Sequence, residues 1–176
     1  MTNRLQLVFS AARIDARVSA LAAQIEQDCQ GRPIVLLVVL TGAMPFAADL
    51  MRRIKGEVLV DYFVVSSYVG DARSSGDIQV LYTPRTELAD RHVILVDEIV
   101  DTGVTVAALL ERYLKPSGAA SVRVCTLLDK AAARRVAVAL DYVGFAAPDL
   151  WLVGYGMDSD GYCRNLPDIY AVAPPQ

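Results

Sequence analysis

Within the stretch Val93 to Thr105, VILVDEIVDTGVT, three carboxylates fall in five positions: Asp97, Glu98 and Asp101. The residues that follow, Thr102, Gly103, Val104 and Thr105, are small or carry hydroxyls. Backbone N–H groups at a turn into a helix carry partial positive charge and hold anions. Gly103 lets the backbone approach a ligand closely, and Thr102 and Thr105 can add hydrogen bonds. An anion cradle beside carboxylates suits a ligand with two unlike ends, such as a sugar phosphate. Its phosphate would sit on the turn and its hydroxyls on the acids. A magnesium ion could join those oxygens. Neither GxxxxGK(S/T) nor GxGxxG occurs in the chain, so the cradle is neither a Walker loop nor a dinucleotide fingerprint. Spacing alone also leaves open an acidic βα turn in which Asp101 is an ordinary helix cap.

The elements around this stretch must bring other parts of the chain to it. Ser10 is placed to cap a helix whose buried face is Ile14, Val18, Leu21, Ala22, Ile25 and Cys29. Ile34–Leu40 is a continuous apolar run, as expected of a strand buried on both faces of a parallel sheet. Thr41-Gly42 turns the chain. Pro45 opens a helix with Phe46, Leu50, Met51 and Ile54 on one face. Strands are expected over Val58–Tyr68, Ile78–Tyr82, Val93–Val96, Val122–Leu128, Tyr142–Phe145 and Trp151–Val153. The polar run Val69–Gly76 between the first two reads as a loop. A helix marked by Val106, Leu109, Leu110, Tyr113 and Leu114 ends at Pro116 and Gly118. Strands alternating with helices predict an α/β domain with a mostly parallel central sheet flanked by helices. In such sheets ligands bind at the carboxyl ends of strands, where Asp97 and Glu98 are expected.

Composition excludes several classes. The 176 residues suit one domain with a real core. Hydrophobic residues make up 54% and mean hydropathy is +0.35, yet no apolar run approaches the ~18 residues of a membrane span. Met1-Thr2-Asn3-Arg4 leads into no signal-peptide core, so a cytoplasmic protein is expected. Cys29, Cys125 and Cys163 show no metal-ligand spacing. A net charge of −3 gives no basic footprint for nucleic acid. His92, the single histidine, reads as structural or surface, and Arg134 and Arg135 in the AAARR run as solvated.

The stretch VILVDEIVDTGVT resembles the phosphoribosyl-diphosphate (PRPP) motif of the type I phosphoribosyltransferases: an apolar strand, two acids, two apolar residues, Asp-Thr/Ser-Gly, a variable residue and Thr. Further segments resemble the hypoxanthine-guanine, or 6-oxopurine, branch in family order. VVLTGAMPFAADL (Val38–Leu50) is similar to its pyrophosphate loop and helix. VDYFVVSSYVG (Val60–Gly70) is similar to the start of its lid, CTLLDK (Cys125–Lys130) to its base-reading strand, and PDLWLVGYGMDSDGYCRNLP (Pro148–Pro167) to its purine hood.

The resemblance implies one phosphoribosyltransferase domain over residues 1–176, with a small hood subdomain built from the N-terminal segment and roughly residues 148–176. It implies transfer of 5-phosphoribosyl from PRPP to hypoxanthine or guanine, with Mg²⁺, giving IMP or GMP and pyrophosphate. Asp101 takes the general-base position, worth about 100- to 10,000-fold in such reactions. Asp97 and Glu98 would meet the ribose hydroxyls, directly or through magnesium. Thr102 to Thr105 would hold the 5′-phosphate. Leu40, Thr41, Gly42 and Arg164 would hold pyrophosphate, with a cis Leu40–Thr41 peptide. Lys130 would read the purine O6, Trp151 would stack on the ring, and Leu152 would offer backbone groups. Asp158 lies beside the purine and, with Glu98, serves magnesium. Ser67 and Tyr68 would close the lid. Without the family, Lys130 and Arg164 read as solvated cations and Trp151 as a core residue.

Two departures stand out. Asp97-Glu98 reverses the Glu-Asp order of many members, and Thr41 replaces a Lys or Arg. The resemblance also implies a homodimer or homotetramer, with no membrane or nucleic-acid partner. A phosphoribosyltransferase for another base, such as xanthine, is the alternative; so is an RNA-binding regulator on the same fold.

Overall fold

The structure, a computed structural model, describes residues 5–66 and 78–172. Ser67, Tyr68 and the segment Val69–Gly76 fall outside the described residues.

The elements in chain order are β1 (Leu5–Phe9), α1 (Ala11–Cys29), β2 (Ile34–Leu40), α2 (Met44–Met51), β3 (Val58–Ser66), β4 (Gln79–Tyr82), β5 (His92–Val100), α3 (Val104–Leu109), β6 (Ser121–Asp129), β7 (Tyr142–Ala146), β8 (Leu152–Val153) and β9 (Ile169–Val172). α3 continues into a π-helical turn, Leu110–Leu114. Six strands form the central sheet in the order β4-β3-β2-β5-β6-β7. All its pairings are parallel except β3 with β4. A second sheet, β1-β9-β8, is antiparallel.

β2 is buried along its length up to Leu40 because both faces of the sheet are covered. On one face, Ile14, Val18, Leu21 and Ile25 of α1 and Phe46 and Leu50 of α2 pack on Leu36, Val38, Ile94 and Val96. On the other, Val106, Leu109 and Leu114 pack on Val35, Leu37, Val93 and Leu95. α1 buries the six residues its spacing predicts, and Ser10 Oγ accepts from Arg13 N at 3.4 Å. Burying one such aliphatic side chain stabilises by about 1.5–3 kcal/mol, so these two layers fix the sheet and hence the loops at its carboxyl end.

Two expectations about α2 differ from the structure. The helix ends at Met51, which is exposed, and Ile54 lies beyond it. Ala47 completes the buried face with Phe46 and Leu50. β5 also runs further than its apolar run, because ladder bonds to β6 continue through Val100–Asp129.

Candidate active site

Strand register builds the site. Asp97 pairs with Thr126, and Val100 with Asp129, which in turn pairs with Ala146. The loops leaving β5, β6 and β7 therefore start side by side. Asp101 follows the first, Lys130 the second, and the third leads to Asp149 and Trp151. The backbone ties them: Lys130 N donates to Val100 O (3.0 Å) and Ala147 N to Asp129 O (2.8 Å).

Asp97 and Glu98 lie inside β5 and not beyond its end. Asp97 is buried. Burial, reinforced by the charge of Glu98, holds the Asp97 carboxyl well above the usual carboxylate range. Burial also raises Glu98, partly offset by its hydrogen bond to Asp97 and the charge of Arg164. The Glu98 carboxylate rests on Gly42: a Cβ there would stand 1.8 Å from Glu98 Oε1. No side chain larger than hydrogen fits without moving that acid. Leu40–Thr41 is a cis peptide, as the resemblance implies.

Asp101 is not the cap of α3. Gly103 holds that position with φ 81°, and no side chain caps it. Asp101 Oδ1 is buried with no hydrogen-bond partner among the described residues. Asp101 Oδ2 is 4.0 Å from Lys130 Nζ. A buried carboxylate oxygen left unpaired is costly; with the side chain 48% exposed, the accessible oxygen is Oδ2.

The turn after Asp101 is clamped from outside. Arg134 Nε donates to Asp101 O (2.9 Å), and its Nη2 to Val100 O (2.9 Å) and Asp129 Oδ1 (2.5 Å). The amides of Arg135 and Val136 both donate to Thr102 O at 2.9 Å. Arg134 is thus not solvated as its run predicts; the 3-10 turn Ala131–Ala133 folds it back under the site. A Cβ at Gly103 would come 2.4 Å from Val136 O. The missing side chain there accommodates this clamp, and not only close approach to a ligand.

Three cavities meet here, and Asp101 lines each. One of about 190 Å³ is bordered by Lys130, Trp151, Leu152 and Asp158. A larger one, about 370 Å³, is lined by Leu40, Thr41, Gly42, Asp97, Glu98, Asp158 and Arg164. The third, about 80 Å³, lies among Asp97, Thr102, Gly103 and Thr105. Val104 follows as the first residue of α3, its amide 3.4 Å from Thr102 Oγ1. Trp151 is 64% exposed, so it is not a core tryptophan. Arg164 is not free either: Nη2 pairs with Asp158 Oδ1 (2.6 Å) and Nη1 donates to Gly156 O (2.6 Å).

Sequence reasoning passed over Ile99, Asp149, Leu150 and Met157. Ile99 borders all three cavities, and Leu150 and Met157 the first. Asp149 pairs with Lys130 Nζ at 3.1 Å. Among acids and apolar neighbours these residues carry no signal of their own; only the strand register assembles them. His92, read as structural or surface, is tied to the neighbouring strand: Nδ1 lies 2.7 Å from Ser121 Oγ.

Among the described residues, no group of three or more His, Cys, Asp or Glu side chains could hold a metal alone. The donor set is nevertheless all oxygen, as a hard divalent cation requires, and magnesium commonly uses one or two carboxylates together with substrate phosphates. Glu98, whose charged form burial disfavours, and Asp158 line the same cavity and fit such a cation.

Parallel strands that end in an acidic, hydroxyl-lined cleft under a small second sheet define the class. Residues 9–160 match the phosphoribosyl transferase domain family, and the chain belongs to it. A hypoxanthine-guanine phosphoribosyltransferase of Aquifex aeolicus is 39% identical over 171 residues, covering 97% of this chain and 96% of the relative. A crystal structure of the corresponding Bacillus anthracis protein, with a HEPES molecule in the active site, has a TM-score of 0.89 at 37% identity, covering 96% of this chain and 98% of that one. Hypoxanthine phosphoribosyltransferase from Trypanosoma cruzi, in complex with the product IMP, has a TM-score of 0.89 at 34% identity, covering 98% and 95%.

Proposed function

We propose that the chain is a purine-salvage enzyme that transfers 5-phosphoribosyl from PRPP to hypoxanthine or guanine, forming IMP or GMP and releasing pyrophosphate. The observation that carries this reading is that Asp101 borders all three adjoining cavities. In this reading the cavity with Lys130 and Trp151 takes the base. The large one takes ribose and pyrophosphate, and the small one the 5′-phosphate.

The C1′–O bond to pyrophosphate breaks as the C1′–N9 bond to the purine forms, and positive charge develops on the ribose. Asp97 and Glu98 face that charge, which electrostatic preorganisation stabilises. Asp101, whose side chain is 48% exposed with only Oδ1 buried, accepts the proton on purine N7 through Oδ2 as the new bond forms. Lys130 donates to O6, and Trp151 stacks on the ring. Backbone N–H groups from Thr102 to Thr105 and the hydroxyls of Thr102 and Thr105 hold the phosphate. Gly42, Thr41 and Arg164 hold pyrophosphate. Glu98 and Asp158 would hold magnesium, which when bound supplies positive charge to the departing pyrophosphate. Ser67 and Tyr68, outside the described residues, would close the lid and exclude water.

No helix among the described residues is long and apolar enough to cross a membrane; a cytoplasmic location is part of the proposal. So is a homodimer or homotetramer, supported by exposed Met44, Val60, Tyr62 and Leu81.

The test is nucleotide formation from PRPP and magnesium with hypoxanthine, guanine, xanthine, adenine and uracil in turn. Hypoxanthine or guanine should be converted, with an equal amount of pyrophosphate released. Turnover restricted to adenine or uracil would refute the reading.

A further inference from the structure

Lys130 sits between two carboxylates at unequal distances. Its Nζ is 3.1 Å from Asp149 Oδ1 but 4.0 Å from Asp101 Oδ2. Its side chain is 13% exposed, whereas that of Asp149 is 64% exposed. The Asp101 side chain is 48% exposed, so the nearer partner is the wetter one, and Asp101 Oδ2 has no other ion-pair partner among the described residues. Left to electrostatics alone, a mostly buried ammonium beside a carboxylate closes onto it, because a charge-assisted hydrogen bond beats a wider ion pair. Here it does not. The loop after β7 brings a competing anion to the other side of the ammonium, and Ala147 N to Asp129 O (2.8 Å) anchors that loop next to Lys130. Among the described residues, the remaining charged groups at this cavity are Glu98, which rests on Gly42, and Asp158, which is paired with Arg164.

We propose that Asp149 is a positioning residue that holds the Lys130 ammonium away from Asp101, so that Lys130 stays free to read the base and Asp101 stays free to receive its proton. The proposal rests on the roles given above to Lys130 and Asp101. Without Asp149, Asp101 is the one ion-pair partner left to the lysine among the described residues. A direct Lys130–Asp101 pair forms and occupies the donor for O6 and the acceptor for N7 together.

The variants are Asp149→Asn, Asp149→Glu, Lys130→Met and the double variant Asp149→Asn/Lys130→Met. Steady-state kinetics is read with each substrate separately, and IMP affinity is read from the fluorescence of Trp151, the sole tryptophan. In Asp149→Asn the base KM and the IMP Kd should rise about tenfold and kcat should fall about as much, with the PRPP KM within about twofold of normal. Asp149→Glu should recover most of the loss. In the Lys130→Met background, the second substitution should add less than about twofold. A normal base KM in Asp149→Asn, or an undiminished loss in the Lys130→Met background, would overturn the proposal. If the unaltered protein formed no nucleotide from any base, the reading of the reaction would fall and this role with it. Additive losses with intact wild-type turnover would remove Asp149 alone.

Discussion

Arg134 Nε donates to the carbonyl of Asp101 at 2.9 Å, so a residue from the loop after β6 fixes the backbone of the proposed general base after β5. The same guanidinium reaches Val100 O and Asp129 Oδ1. Its planar fork serves all three acceptors, which a lysine ammonium cannot reproduce. Arg134→Met keeps the stem and removes the donors. It should cost about 1.5–3 kcal/mol of stability in urea melts, and Arg134→Lys should recover less than half of that. Full recovery by lysine would show that charge alone matters there.

Two glycines of the site separate fold from chemistry. A Cβ at Gly103 meets backbone, Val136 O, and the residue has φ +81°. Gly103→Ala should therefore destabilise by about 1–3 kcal/mol. The three atoms nearest a Cβ at Gly42 all belong to the end of the Glu98 side chain, which can swing away. Gly42→Ala should keep its melting temperature while the PRPP KM rises about tenfold or more. Equal loss of stability in both variants would contradict this distinction.

These contrasts show what the sequence discloses. Ile34–Leu40 announces a two-sided buried strand because every residue is apolar, and α1 announces its face through spacing. The cleft is legible at Val93–Thr105 because its acids, hydroxyls and glycine are contiguous. Arg134 and Asp149 are not legible. Each acts across strand neighbours, through registers that no local pattern encodes, and each looks like an ordinary surface charge in its own segment. Ile54 misleads for a related reason: helical periodicity says which residues share a face but not where the helix stops, and α2 ends at Met51.

Asp97 gives a pH dependence in the absence of magnesium and PRPP. Burial and Glu98 raise its folded-state pKa well above the ordinary value of 3.8. The folded protein then binds more protons than the unfolded chain between those two values. The stability contributed is complete below the unfolded pKa and is lost as pH rises through the folded one. Asp97→Asn should raise the melting temperature at pH ~8 and change it much less at pH ~4. A larger gain at the acidic end would contradict the sign.

Trp151 is mostly exposed, so its removal should leave stability within about 0.5 kcal/mol. Trp151→Ala should instead weaken IMP binding by about 1–3 kcal/mol in calorimetry, the range of base–aromatic stacking. A destabilised fold with normal IMP affinity would assign the ring to structure.

Asp101→Asn tests the central claim most directly, because the amide keeps the shape of the side chain and removes its capacity to accept the proton. Single-turnover kinetics with hypoxanthine, beside a PRPP titration, should give a rate lower by about 100- to 10,000-fold and a PRPP Kd within about threefold of normal. A near-normal rate in this variant would contradict the account.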